Sequence, residues 1–209
     1  SRLARVVESA DTEPPPGFLR FVTPDLQPAG LTPNLATYEG QQAVEDALGD
    51  ARVVIVDNLS CLVRGGKENE ADSWQPVADW ALRMRATGRS VVFIHHAGKG
   101  GQQRGTSKRE DLLDSVILLR RPADYSADQG ARFEIHFEKA RSLFGHEVEP
   151  IEAMLEAQPN GVQVWTFRAS AAAADAKMIE LAEIGLSQTD IATELGVNKS
   201  TVCRALAKA

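Results

Sequence analysis

The chain has 209 residues, 43% of them hydrophobic and 25% charged, enough to bury a full core and to suit one globular domain with a small appendage. Its formal net charge of -6 excludes a protein that coats nucleic acid through bulk charge, so any DNA contact has to come from a local patch. Cys61 and Cys203 lie far apart with no metal or redox spacing, and no apolar run approaches the roughly 18 residues of a membrane span, so a cytoplasmic protein with no membrane partner is expected.

The opening "SRLARVVESA" reads as the middle of an amphipathic helix, with Leu3, Val6 and Val7 on one side, and it holds no signal-peptide core. Past "TEPPPG", the segment "FLRFVTPD" predicts a strand and "EGQQAVEDAL" a helix capped by Thr37 or Asn34. "RVVIVDN" is a β-branched run of the kind buried on both faces of a parallel sheet. The polar loop "RGGKENEADS" precedes a helix, "WQPVADWALRMRAT", with Pro76 in its first turn and Gly88 as its stop. Glu68, Glu70 and Asp72 in that loop read as acids opposing the helix dipole rather than as a metal cluster.

"SVVFIHH" is the next buried strand, "AGKGGQQRG" a basic glycine loop and "DSVILLRR" a further apolar strand. "ARFEIHFEKARSLFGHEVEPIEAML" alternates like a twisted hairpin whose arms meet near "SLFG". Strands separated by helices predict an α/β fold, a mostly parallel sheet flanked by helices with an antiparallel hairpin extension. The alanine-rich "ASAAAADA" is a helical lead-in or a linker, and it sets the domain boundary near residue 170, giving units 1–169 and 170–209.

The last segment, "LSQTDIATELGVNKSTVCRAL", has helix-turn-helix spacing. Ser187 caps one helix, Ile191, Ala192 and Leu195 face inward, Gly196 takes the turn, and Val197, Val202 and Leu206 complete a three-helix core. Asn198, Lys199, Ser200, Thr201 and Arg204 then lie on the exposed start of the last helix, side chains suited to base edges and phosphates. The segment resembles the helix-turn-helix domains of resolvases and many bacterial regulators. That resemblance implies DNA as a partner; a trihelical unit used only for oligomerisation or as a cap is the alternative. Acidic residues balance basic ones here, so a lone copy should bind weakly and with strong salt dependence.

Before it, a strand ending in Asp57, a helix, a strand ending in His95-His96, a basic glycine loop, "RGTSKREDLLDSVILL" and "FEKARSLFG" follow in order. This succession resembles the second half of a RecA-type ATPase core, as in DnaB-like replicative helicases and, more closely, plasmid RepA-type hexameric helicases, over roughly residues 1 to 160. The family pattern includes a phosphate loop and a catalytic glutamate that are not identifiable in this sequence. The chain therefore reads as beginning just downstream of them. "GGQQRGTS", from Gly100 to Ser107, has threonine where a phosphate loop needs lysine, and Lys108 comes too late.

The resemblance implies the following roles. Asp57, with Asn58 beside it, would hold magnesium and nucleotide; His96 would sense the terminal phosphate; Arg104, Lys139 and Arg141 would reach a neighbouring subunit's nucleotide. Lys99 and Arg104 in the glycine loop would touch a DNA backbone. The alternatives are a loop-capping Asp, an interior histidine and solvated surface cations. ATP and Mg2+ are the cofactors expected of the complete enzyme, with no hydrolysis by this chain alone. The expected partners are DNA and a homo-oligomeric ring, or a chain supplying the N-terminal half. A non-enzymatic DNA-binding regulator on a degenerate RecA-like scaffold is the competing function.

Overall fold

The computed structural model describes residues 7–10, 12–27, 32–64, 71–96 and 110–207. Contacts group the chain into two units, Pro14–Leu113, and Ser1–Glu13 together with Asp114–Ala209. None of the helices among the described residues is long and apolar enough to cross a membrane.

The first unit holds helix α1 (Tyr38–Leu48), strand β1 (Val53–Asp57), the short α2 (Leu59–Leu62), α3 (Ala71–Ala86) and β2 (Ser90–Ile94). Helix α1 starts at the predicted threonine: Thr37 is extended and its hydroxyl accepts from the Gly40 amide at 3.2 Å. Strands β1 and β2 pair in parallel, Ile55 opposite Val92 and Asp57 opposite Ile94. Val54 and Val56 turn inward onto α3, which presents Trp74, Val77, Ala81 and Met84 along one stripe. Phe93 of β2 meets Trp74 edge-on with ring centroids 5.4 Å apart.

Three expectations are corrected in this unit. The β1 run is buried on one face only; Val53 and Ile55 are exposed, as are Val92 and Ile94 opposite, so the helices cover a single side of the pair. "FLRFVTPD" forms no strand. It pairs with no neighbouring strand, Pro24 starts a 3-10 turn (Pro24–Leu26), and Phe18, Leu19 and Phe21 are left exposed. Helix α3 begins at Ala71, so Pro76 lies inside it rather than in its first turn; the Pro76 carbonyl accepts from the buried Gln41 amide at 3.0 Å. Gly88, at φ 78°, ends α3 as expected.

The second unit contains strands β3 (Ser115–Arg120), β4 (Arg132–Ala140), β5 (Ile151–Ala157) and β6 (Gln163–Ala169), followed by helices α4 (Ala171–Glu183), α5 (Gln188–Glu194) and α6 (Lys199–Leu206). The strands form one antiparallel sheet in chain order, so the hairpin extension is the larger of the two sheets among the described residues. Its register separates two chemistries. One face carries the row Leu119, Ile135, Ile151 and Ala169, and beside it Phe133, Ala153 and Phe167. The same face continues with Ile117 opposite Phe137 at one end and Leu155 opposite Trp165 at the other.

The other face is polar. Glu152, buried between β4 and β6, accepts from Arg132 Nε at 2.8 Å, from Arg132 Nη2 at 3.0 Å and from Arg168 Nη2 at 2.5 Å. Asp124 closes the cluster at 2.9 Å from Arg132 Nη2. The two arginines hold the Glu152 carboxyl below the usual carboxylate range, with the Arg132 hydrogen bond as the largest cause, and the Arg132 bond does the same for Asp124.

The helical segment begins at Ser170, whose hydroxyl accepts from the Ala173 amide at 3.2 Å, so the alanine-rich stretch is a helix and not a linker. Met178, Ile191, Ala192, Val202 and Ala205 form its core, with Leu195, Val197 and Leu206 packed against them. Gly185 (φ 96°) and Gly196 (φ 63°) take the two turns, a backbone region that side chains disfavour.

Candidate functional site

Helix α6 is the strongest candidate surface. Ser187 caps α5, accepting from the Asp190 amide at 3.3 Å, and the sharp turn at Gly196 redirects the chain so that α6 crosses over Ile191 and Ala192. Val202 and Ala205 are thereby sunk into the core, which leaves Asn198, Lys199, Ser200 and Arg204 exposed and Thr201 half-buried. The structure thus brings together all five residues expected to face DNA, on the first turns of one helix. Asn198 precedes the helix without a side-chain capping bond, so its amide is not spent on the backbone. Arg204 folds back onto the helix, donating to the Ser200 carbonyl at 3.3 Å and to the Thr201 hydroxyl at 3.4 Å. Phosphate or a base edge has only to displace these long bonds.

A second group sits at the carboxyl ends of β1 and β2. Asp57 is exposed, at the last position of β1 and on the face away from the helices. Alternation of exposure runs past the end of β2: His95 is half-buried and His96 exposed, so His96 falls on the same side as Asp57. Asn58 is already engaged, its side chain accepting from the Cys61 amide at 3.1 Å to cap α2. A carboxylate at the end of a parallel strand suits Mg2+, which takes one or two protein carboxylates and draws its other ligands from water and phosphate. Among the described residues no group of three metal-ligating side chains occurs, so Asp57 fits as a single anchor and not as a complete cage.

Lys139 and Arg141 belong to the second unit, at the end of β4. Lys139 stands opposite Val116 across a bulge in the β3–β4 ladder, and Arg141 is tied to Asp114 by a backbone bond of 2.9 Å and an ion pair at 3.7 Å. Lys99, Arg104, Glu68 and Glu70 lie outside the described residues. Sequence reading passed over Arg120 and Arg121, which end β3; Arg121 stacks on Tyr125 at 4.7 Å from the ring centroid. The doublet "RR" closing an apolar run was the available signal.

Comparison with known proteins assigns the two ends of the chain separately. The family model of the AAA domain matches residues 1–102, which places an AAA-type, RecA-like ATPase domain at the N-terminal side and takes in Asp57 and His96. The model of the homeodomain-like domain matches residues 176–208, covering α5 and α6 and most of α4. A DNA-binding type of helix-turn-helix is therefore joined to an AAA-type domain in one polypeptide. None of the curated proteins matches the chain.

Proposed function

We propose that the chain is part of a DNA-binding ATPase of the RepA-like, RecA-fold kind, working in plasmid or phage replication as a helicase component. The observation that carries this reading is the joining of an AAA-type domain match to a well-packed helix-turn-helix whose cationic and amide side chains are exposed on one helix. Asp57 anchors Mg2+ beside the nucleotide phosphates and His96 faces the terminal phosphate from the neighbouring strand end. The metal, when bound, neutralises phosphate charge. Lys139, Arg141 and Arg104 act on the nucleotide of an adjacent subunit, and Lys99 on DNA.

The sequence contains no glycine-rich loop ending in lysine and a hydroxyl residue, the element that cradles a triphosphate. The chain by itself therefore does not turn ATP over, and the site is completed by residues from elsewhere. The exposed apolar face beside Asp57, with Val53, Ile55, Val92 and Ile94, supports a second polypeptide segment packing there. The competing reading, a non-enzymatic regulator, draws on the same missing loop and on the completeness of the helix-turn-helix core.

Two assays on the purified chain test this. Fluorescence anisotropy with labelled duplex DNA at low salt should show binding that weakens steeply as salt rises and that falls about tenfold or more in Arg204→Ala and Lys199→Ala, since each base or phosphate contact is worth ~1–3 kcal/mol. Equal binding by both variants and the parent refutes the DNA interface. Phosphate release should show no multiple turnovers with chain alone; turnover that Asp57→Ala abolishes refutes the incomplete-site reading.

A further inference from the structure

The antiparallel sheet of the second unit has one face on which no side chain is charged, and neither of the two packed cores includes any of its residues. Ile117 is 52% exposed, Leu119 58%, Trp165 44% and Phe167 63%. A twisted sheet gains its stability by burying such a face, and a patch this size is far from ordinary surface. We propose that this face packs against the same face of a second copy, forming a two-fold sheet-on-sheet dimer.

Three features favour that occupant. The first is electrostatic. A partner bearing charges would find none to pair with, because the charged residues of the sheet, Arg132, Glu152 and Arg168, stand on the opposite face and satisfy one another. An uncharged apolar surface is the only complement, and the chain itself carries one. The second is symmetry: an isologous contact asks only that a patch be self-complementary, and a flat apolar sheet face is so at the ~10 Å spacing of stacked sheets. The third is area. At the roughly 150–250 Å2 that large side chains bury, the four exposed residues and the half-buried ones of β4 and β5 offer on the order of 650 Å2 per copy. Two copies then bury about 1,300 Å2, within the roughly 1,200–2,000 Å2 of specific stable interfaces.

The dimer has a consequence for DNA. The helix-turn-helix follows β6 directly in the same unit, so pairing the sheets ties two weak DNA-binding helices together. Each contributes to avidity that neither has alone.

The test needs neither DNA nor nucleotide, so it is independent of the proposed activity. Trp74 and Trp80 are buried, which makes Trp165 the quenchable tryptophan. Sedimentation of the 209-residue chain from about 1 to 100 µM should show a monomer–dimer equilibrium, with acrylamide quenching of Trp165 rising several-fold as dilution populates the monomer. Leu119→Glu/Phe167→Glu, both at exposed positions, should weaken dimerisation more than 100-fold with unchanged far-ultraviolet circular dichroism. Ile184→Glu, at an apolar residue 69% exposed outside the sheet, should leave it intact. A parent chain monomeric at every concentration overturns the proposal, whether the face is open or covered by another segment. A dimer in which Trp165 is quenched as readily as in the monomer, or one that survives the double substitution, overturns it equally.

Discussion

Replacing Gly40 by alanine separates two effects that usually act together. On propensity alone the change stabilises: alanine gains about 1 kcal/mol over glycine in a helix, partly by restricting the unfolded chain. Gly40 is buried in the first turn of α1, and a Cβ built there lies 2.0 Å from the Asn34 carbonyl oxygen and 2.5 Å from its carbonyl carbon. Asn34 has little room to yield. Its carbonyl accepts from the Thr37 amide at 3.0 Å and the Thr37 hydroxyl at 3.1 Å, and its side chain bonds both the amide and carbonyl of Arg64. Next to it, Leu35 is 1% exposed in the core.

Restoring ordinary contact requires a shift of more than 1 Å, which breaks about two of these bonds at ~1 kcal/mol each and adds overpacking strain of ~1–3 kcal/mol. Against the helix gain, Gly40→Ala should destabilise by about 2–4 kcal/mol. Urea unfolding of the parent and variant, followed by circular dichroism, measures it as a fall in midpoint at constant slope. A variant as stable as the parent would show that α1 does not approach Asn34 this closely, and would refute the packing of this end of the first unit.

Ile191→Ala removes a fully buried side chain from between α4 and α6 and should cost about 2–5 kcal/mol, melting the helical segment at lower temperature than the parent and abolishing DNA binding with it. Acid should weaken the antiparallel sheet. Glu152 and Asp124 are held below the usual carboxylate range by Arg132, so their stabilisation is present above the unfolded carboxylate pKa of about 4 and is lost as pH falls through the depressed folded values. Thermal midpoints followed by Trp165 emission should be flat near neutrality and drop in acid below about pH 4; an unchanged midpoint down to pH 3 refutes the role of the cluster.

What the sequence made legible were features fixed by local chemistry. The caps at Thr37 and Ser187, the stop at Gly88 and the turn at Gly196 each depend on a few neighbouring residues, and each forms where expected. The helix-turn-helix was legible almost entirely, because inward residues at helical spacing leave Asn198, Lys199 and Arg204 one available side. Asp57 and His96 were legible as strand-end residues, since an apolar run states where it stops. The opening of α3 was not, because Pro76 reads as a first-turn residue when the polar sequence ahead of it is taken for loop.

The remaining differences concern what lies across from a strand, which a single strand's sequence does not encode. "VVIVD" and "SVVFI" have the composition of strands buried on both faces, yet only one face of the pair is covered. "FLRFVTPD" alternates like a strand and finds no edge to join. "DSVILLRR" reads as another strand of the parallel sheet, but it pairs with β4 in antiparallel register and leaves Ile117 and Leu119 in the open. In all three, apolar content exceeds what the described fold buries. Local patterning predicts the face a strand would hide, and the structure records whether something hides it. A surplus recurring on three segments and across both units is a property of an assembly rather than of a mispacked monomer, because each exposed strand keeps a regular pattern with no charge inserted to make it soluble.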